Sequence, residues 1–107
     1  GLDSSEVMQG HTFLGTMYHE VNNFEAAAAH MQAALYILRL MAGNRHPEIA
    51  NIYFRLAVIY NDIEDHVAAL QFLEAALALI SSTGDLAKNV PIYQTISSLS
   101  LRSSAGT

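Results

Sequence analysis

The chain has no cysteine, which removes disulfide scaffolds, thiolate zinc sites and cysteine nucleophiles together. Basic residues are scarce: five Lys and Arg stand against ten Asp and Glu, for a formal net charge of −5. A surface so poor in positive charge lacks the field that phosphate backbones require, so no direct nucleic-acid contact is expected. Charged residues make up only 14% of the chain, yet they and other polar groups interrupt the apolar positions every few residues. No run approaches the roughly 18 consecutive apolar residues of a bilayer span, and membrane insertion is not expected. The opening GLDSSEV has neither the basic start nor the apolar stretch of a signal peptide. A cytoplasmic location is the expectation.

Catalytic patterns are equally thin. There is no Gly-rich phosphate loop, no nucleophile elbow and no HExxH, and no two histidines stand at i, i+4. His11, His19, His30, His46 and His66 are scattered instead, and structural roles are expected for them. The acidic group Asp62, Glu64 and Asp65 lacks the ligand spacing and final Glu of a calcium loop, and reads as a solvated turn. The expectation is a non-enzyme without metal or cofactor.

What the chain does have is apolar content: 51% of 107 residues, with a mean hydropathy of +0.22. Such a sequence must fold to bury it, and its length is that of one small domain. Its ends look arbitrary, which suggests a piece of a longer chain.

Sliding the sequence on itself by 42 positions exposes a repeat. Identities fall at Gly1/Gly43, Glu6/Glu48, Leu14/Leu56, Tyr18/Tyr60, Ala26/Ala68, Ala27/Ala69, Ala33/Ala75, Ala34/Ala76 and Leu35/Leu77. Each unit reads as two helices. Pro47 suits a first helical turn, and Ile49, Ile52, Tyr53, Leu56, Ile59 and Tyr60 then follow at spacings of three and four. A polar turn leads to a second helix from about His66, which ends at Ser81-Ser82-Thr83-Gly84. The first unit repeats this with helices from about Ser5 to His19 and Phe24 to Met41, a turn at Asn22-Asn23, and Gly43 as the closing residue. Gly15 or Ala57, with Ala27 or Ala69, let the paired backbones approach closely, while Leu14/Leu56 and Tyr18/Tyr60 fill the space around them. Tyr93, Ile96, Ser97 and Ser100 begin a degenerate third unit. The expected organisation is 1–42, 43–84 and a partial unit 85–107, about five helices in all.

His11, Leu14, Gly15, Tyr18, Ala27 and Ala34, then Tyr53, Leu56, Ala57, Tyr60, Ala69 and Ala76, resemble the tetratricopeptide pattern of aromatic, Leu, Gly/Ala, Tyr and Ala. The resemblance implies an all-α fold, a right-handed solenoid of antiparallel helix pairs, here with longer units than the usual 34 residues. Two long-unit families have GNRHPEIA-like stretches before a first helix. Kinesin light chains typically carry paired Asn before the Leu, where this chain has Thr12-Phe13 and Phe54-Arg55. The stretch from Ala28 to Leu79 and the opening GLD–E–V resemble the clustered-mitochondria family. That resemblance implies a segment of a large cytosolic protein needed for mitochondrial distribution, associated with translation initiation factor three and with messenger RNAs for mitochondrial proteins.

In tetratricopeptide arrays the first helices line a concave groove. At about 100° per residue from Tyr53, the stripe away from the core carries Asn51, Phe54, Val58, Asn61 and Asp62, with Arg55 and Phe13 at the rim. The first unit supplies Gln9, Thr12, Thr16, His19 and Glu20, and the third supplies Gln94 and Ser98. These are the candidate binding residues for a protein or peptide partner. Phe54 and Val58 stand at i and i+4 and could hold an apolar side chain beside Asn61 and Arg55. Phe54 packing on a neighbouring helix is the alternative. A homo-oligomer through exposed repeat ends is the rival to a groove-binding scaffold.

Overall fold

The computed structural model describes residues 3–83. They form four α-helices: α1 (Ser4–Glu20), α2 (Phe24–Ala42), α3 (Pro47–Asp62) and α4 (His66–Thr83). No strand occurs among the described residues. The expected fifth helix, with Gln94 and Ser98, lies outside them. Helix α1 packs on α2, α3 packs on α4, and α2 packs against α3. The fold is an all-helical tetratricopeptide-like stack.

Local chemistry sets each boundary. Asp3 caps α1: its Oδ1 accepts from the Glu6 N–H at 2.8 Å, and Glu6 reaches back to the Asp3 N–H. Pro47 takes the first turn of α3, as its missing N–H allows. Before it, His46 is an unexpected N-cap whose Nδ1 accepts from the Glu48 N–H at 3.1 Å. Gly43, at φ 78°, closes α2 with its N–H on the Arg39 carbonyl.

The turns inside the two units match bond for bond. Asn22 and Glu64, 42 positions apart, both adopt positive φ, at 63° and 71°. Beside them the Asn23 N–H reaches the Tyr18 carbonyl at 2.8 Å, and the Asp65 N–H reaches that of Tyr60 at 2.9 Å. Asn23 and Asp65 then cap α2 and α4 by accepting from Ala26 and Ala68. This shared pattern folds each second helix back on its first.

The interior is one cluster of buried residues, led by Met31, Ile49, Ile52, Leu56 and Ile59. Small residues allow the close approach: Gly15, Ala27, Ala57 and Ala69 are all buried. A Cβ on Gly15 would stand 2.9 Å from Met31 Cε, whereas in the second unit Ala57 is paired with the shorter Leu73 by repeat position. A ring cluster repeats as well. Tyr18 stacks on His30 at 5.4 Å and His11 tilts against it at 5.3 Å. Tyr60 stacks on Phe72 at 5.5 Å and Tyr53 tilts against it at 6.0 Å. His11 thus fills an aromatic repeat position, and His30 is the structural counterpart of Phe72.

One expectation is corrected. Leu14 and Leu56 were to fill equivalent space, but Leu56 is 0% exposed and Leu14 is 40% exposed. Met17 and Ile59 differ likewise, at 48% and 1%. The cause is position in the stack: α3 lies between α2 and α4, while α1 has α2 as its main neighbour among the described residues.

Candidate functional site

The two first helices of the units, α1 and α3, run side by side with a groove between them. Two polar links cross it. Arg55 Nη1 donates to Thr16 Oγ1 at 3.2 Å, joining the helices at mid-length. At their C-terminal ends His19 Nε2 meets Asp62 Oδ2 at 2.6 Å, with the His19 ring against Phe24. Both links are solvent-accessible, so each contributes little to stability and can open for a ligand.

Two cavities lie along this groove. The upper one, about 700 Å³, has an apolar floor of Met8, Phe13, Leu38, Met41 and Ala42. Ser5, Gln9, Thr12, Thr16, His46 and Glu48 form its polar rim. The lower one, about 190 Å³, is lined by Thr16, His19, Phe54, Arg55 and Val58 over Met31 and Ile59. Thr16 borders both, so the Thr16–Arg55 link stands where the two cavities adjoin.

The residues expected from the sequence divide accordingly. Gln9 and Thr12 face the upper cavity, Thr16 both, and His19, Phe54, Arg55 and Val58 the lower. Phe54 is half-buried: it packs on the core, as one expectation had it, and also lines the lower cavity. Asn61 and Asp62 lie lower still, at a polar hollow with Glu64 and His66, where Asn61 Oδ1 is 3.1 Å from His66 Nδ1. Asn51 turns to Glu48, donating from Nδ2 to Oε2 at 3.0 Å, and Glu20 is exposed at the end of α1. Neither lines a described cavity. Sequence reasoning missed Leu38, Met41 and Ala42, which lie on a second helix, and His46 and Glu48 at the start of α3, where no groove residue was expected. The apolar Leu40-Met41 pair just before Gly43 was the available signal.

Thr12 and Thr16 turn their hydroxyls back to the Met8 and Thr12 carbonyls, at 3.0 and 2.9 Å. Their methyl groups and lone pairs remain for a ligand. Among the described residues no three His, Cys, Asp or Glu are grouped to hold a metal ion. Nor is any described helix long and apolar enough to cross a membrane.

A tetratricopeptide repeat profile matches residues 6–82, which spans all four helices. The chain belongs to the tetratricopeptide repeat family. It is also 32% identical over 78 residues to "Protein KINESIN LIGHT CHAIN-RELATED 3" of Arabidopsis thaliana. That match covers 73% of this chain but only 12% of the relative, so the chain spans a small part of the relative's length. No solved structure matches it significantly. Tetratricopeptide repeats are in general non-catalytic protein-interaction modules, and protein binding is the activity the family assigns here.

Proposed function

We propose that the α1–α3 groove is a binding site for a peptide or helix of a partner protein. The observation that carries it is convergence: residues from two helices 42 positions apart, Thr16 and His19 with Phe54, Arg55 and Val58, line one cavity. A peptide would seat an apolar side chain on Phe54 and Val58, and would exchange the Thr16–Arg55 bond for its own backbone groups. To test this, select peptides from a random display library and measure their affinity for groove and outer-face variants. Thr12→Arg and Val58→Arg should each weaken binding at least about tenfold, as expected when a charge enters a contact surface. Val67→Arg, on the exposed face of α4, should leave it unchanged. Equal affinity for all three variants would remove the groove from the account.

The units 1–42, 43–84 and 85–107 belong to this reading, as does a cytoplasmic setting. The kinesin light chain-related match supports an adaptor segment of kinesin-light-chain type. The GLDSSEV opening and the Ala28–Leu79 stretch support a clustered-mitochondria-like scaffold tied to mitochondrial distribution.

A second reading rests on the α1 face. Leu14, Met17 and Val21 are exposed where Leu56 and Ile59 are buried, which leaves a stacking face open. Self-association through this face predicts a molar mass that rises with concentration in light scattering. A constant monomer mass at high concentration would exclude it.

A further inference from the structure

The upper cavity says more about its ligand than the groove alone does. Its floor is apolar along two helices, with Met8 and Phe13 from α1 meeting Leu38 and Met41 from α2. Phe13 and Met41 are both well exposed, so this floor is open to a partner. Among the described residues, the only acidic or basic side chain on its wall, histidine apart, is the carboxylate of Glu48; no described Lys or Arg lines it. Asn51 occupies one Glu48 oxygen, and no cation pairs with that carboxylate among the described residues. His46 is turned to the start of α3, where its Nδ1 accepts from the Glu48 backbone N–H at 3.1 Å.

The helix starts nearby do not reverse this field. The first turn of α1 is capped by Asp3 and Glu6, and that of α3 carries Glu48 itself. The Glu6 N–H of α1 and the Glu48 and Ile49 N–H groups of α3 are thus already served by the chain's own acceptors. Further down, Arg55 donates to Thr16 and lines the lower cavity, not the upper, and the groove ends at Asp62 with Glu20 and Glu64 exposed nearby. The whole chain carries −5, so the long-range field has the same sign as the wall.

We propose that the occupant of the groove is a basic–apolar peptide: a large aliphatic or aromatic side chain fills the upper cavity, and an adjacent Lys or Arg pairs with Glu48. This rests on the groove reading above and adds the ligand's chemistry to it. An acidic side chain seated in the upper cavity would bring its carboxylate to Glu48 with no Lys or Arg on that cavity's described wall, and is disfavoured there by repulsion and desolvation together. Roughly 700 Å³ accommodates more than one side chain, so two neighbouring apolar residues fit better than one.

Two fluorescein-labelled peptides test it, sharing a Leu-Leu centre and flanked by lysines in one and by glutamates in the other. Binding is read by fluorescence anisotropy on the whole chain. The lysine peptide should bind tighter, and Glu48→Gln should weaken it about fivefold, the size of a partly exposed ion pair. Glu74→Gln removes the same charge from the exposed face of α4 and should change nothing, which separates a local pair from general attraction. Replacing Leu-Leu by Ser-Ser in the lysine peptide should abolish binding. Circular dichroism on Glu48→Gln checks that α3 is intact. Tighter or equal binding of the glutamate peptide, or equal effects of the two substitutions, would overturn the ligand chemistry while leaving a groove that binds peptides. Failure of both peptides to bind would overturn this proposal and count against the groove as well.

Discussion

At the level of single residues, the two units answer the same packing problem with different side chains. His11 and His30 occupy the places of Tyr53 and Phe72, and their Nδ1 atoms lie 3.0 Å apart. One ring must donate and the other accept, so the pair adds a directional bond that the Tyr53–Phe72 contact does not have. Substituting His30→Phe alone leaves the half-buried His11 nitrogen without its partner and should cost about 1 kcal/mol. The double variant His11→Tyr/His30→Phe copies the second unit and should recover most of that loss. Urea titrations of the four proteins give the coupling directly, and additive effects would contradict it. The placement of His11 was legible because the repeat puts it in register with Tyr53. Its bond to His30 was not, since nothing in the spacing of one helix fixes which ring it meets on another.

Helices and turns were the most readable level. Caps and punctuation act within a few residues of each other, so Pro47, Gly43 and the Asn22-Asn23 pair mark boundaries without help from the rest of the fold. Two features escaped that reading. His46 caps α3 through a ring nitrogen, a role usually taken by Ser, Thr, Asp or Asn. Glu64 sits at φ 71°, where a longer side chain pays a steric cost that Asn22 largely avoids in the matching turn. Glu64→Asn should therefore stabilise the protein by about 0.5 kcal/mol, part of the left-handed penalty. Chemical denaturation at matched pH would show it as a higher midpoint with unchanged slope. A lower midpoint would mean that Glu64 has a role the turn geometry does not reveal.

For the molecule as a whole, the decisive fact is that equal sequence positions are unequal in the stack. Leu14 and Leu56 are identical and 42 positions apart, yet only the second is enclosed. Leu56→Ala should cost about 2–5 kcal/mol, the range for emptying a packed core site. Leu14→Ala should cost less than about 1 kcal/mol, because much of that side chain is already in water. Thermal and chemical unfolding of the two variants would measure the contrast, and similar losses would show that the α1 face is covered in solution. The same asymmetry explains the groove. Its walls come from α1 and α3, which the helical wheel anticipated, but part of its floor, Leu38, Met41 and Ala42, comes from the end of α2, which no single-helix pattern could supply.

Sequence alone determined the helices, their ends, the two-unit register and the identity of the small residues between paired helices. Those depend on short-range periodicity, capping and turn chemistry, which the chain carries locally and repeats at a fixed offset. It also indicated most of the α1 and α3 residues that line the groove between them, Asn51 and Glu20 apart. Only the tertiary structure decided which members of each repeated pair are buried, that Thr16 meets Arg55 and His19 meets Asp62, and that Glu48, held by Asn51, has no cation partner among the described residues beside an apolar floor. Those outcomes depend on how α2 is set between α1 and α3. That placement is fixed by packing between side chains far apart in the chain.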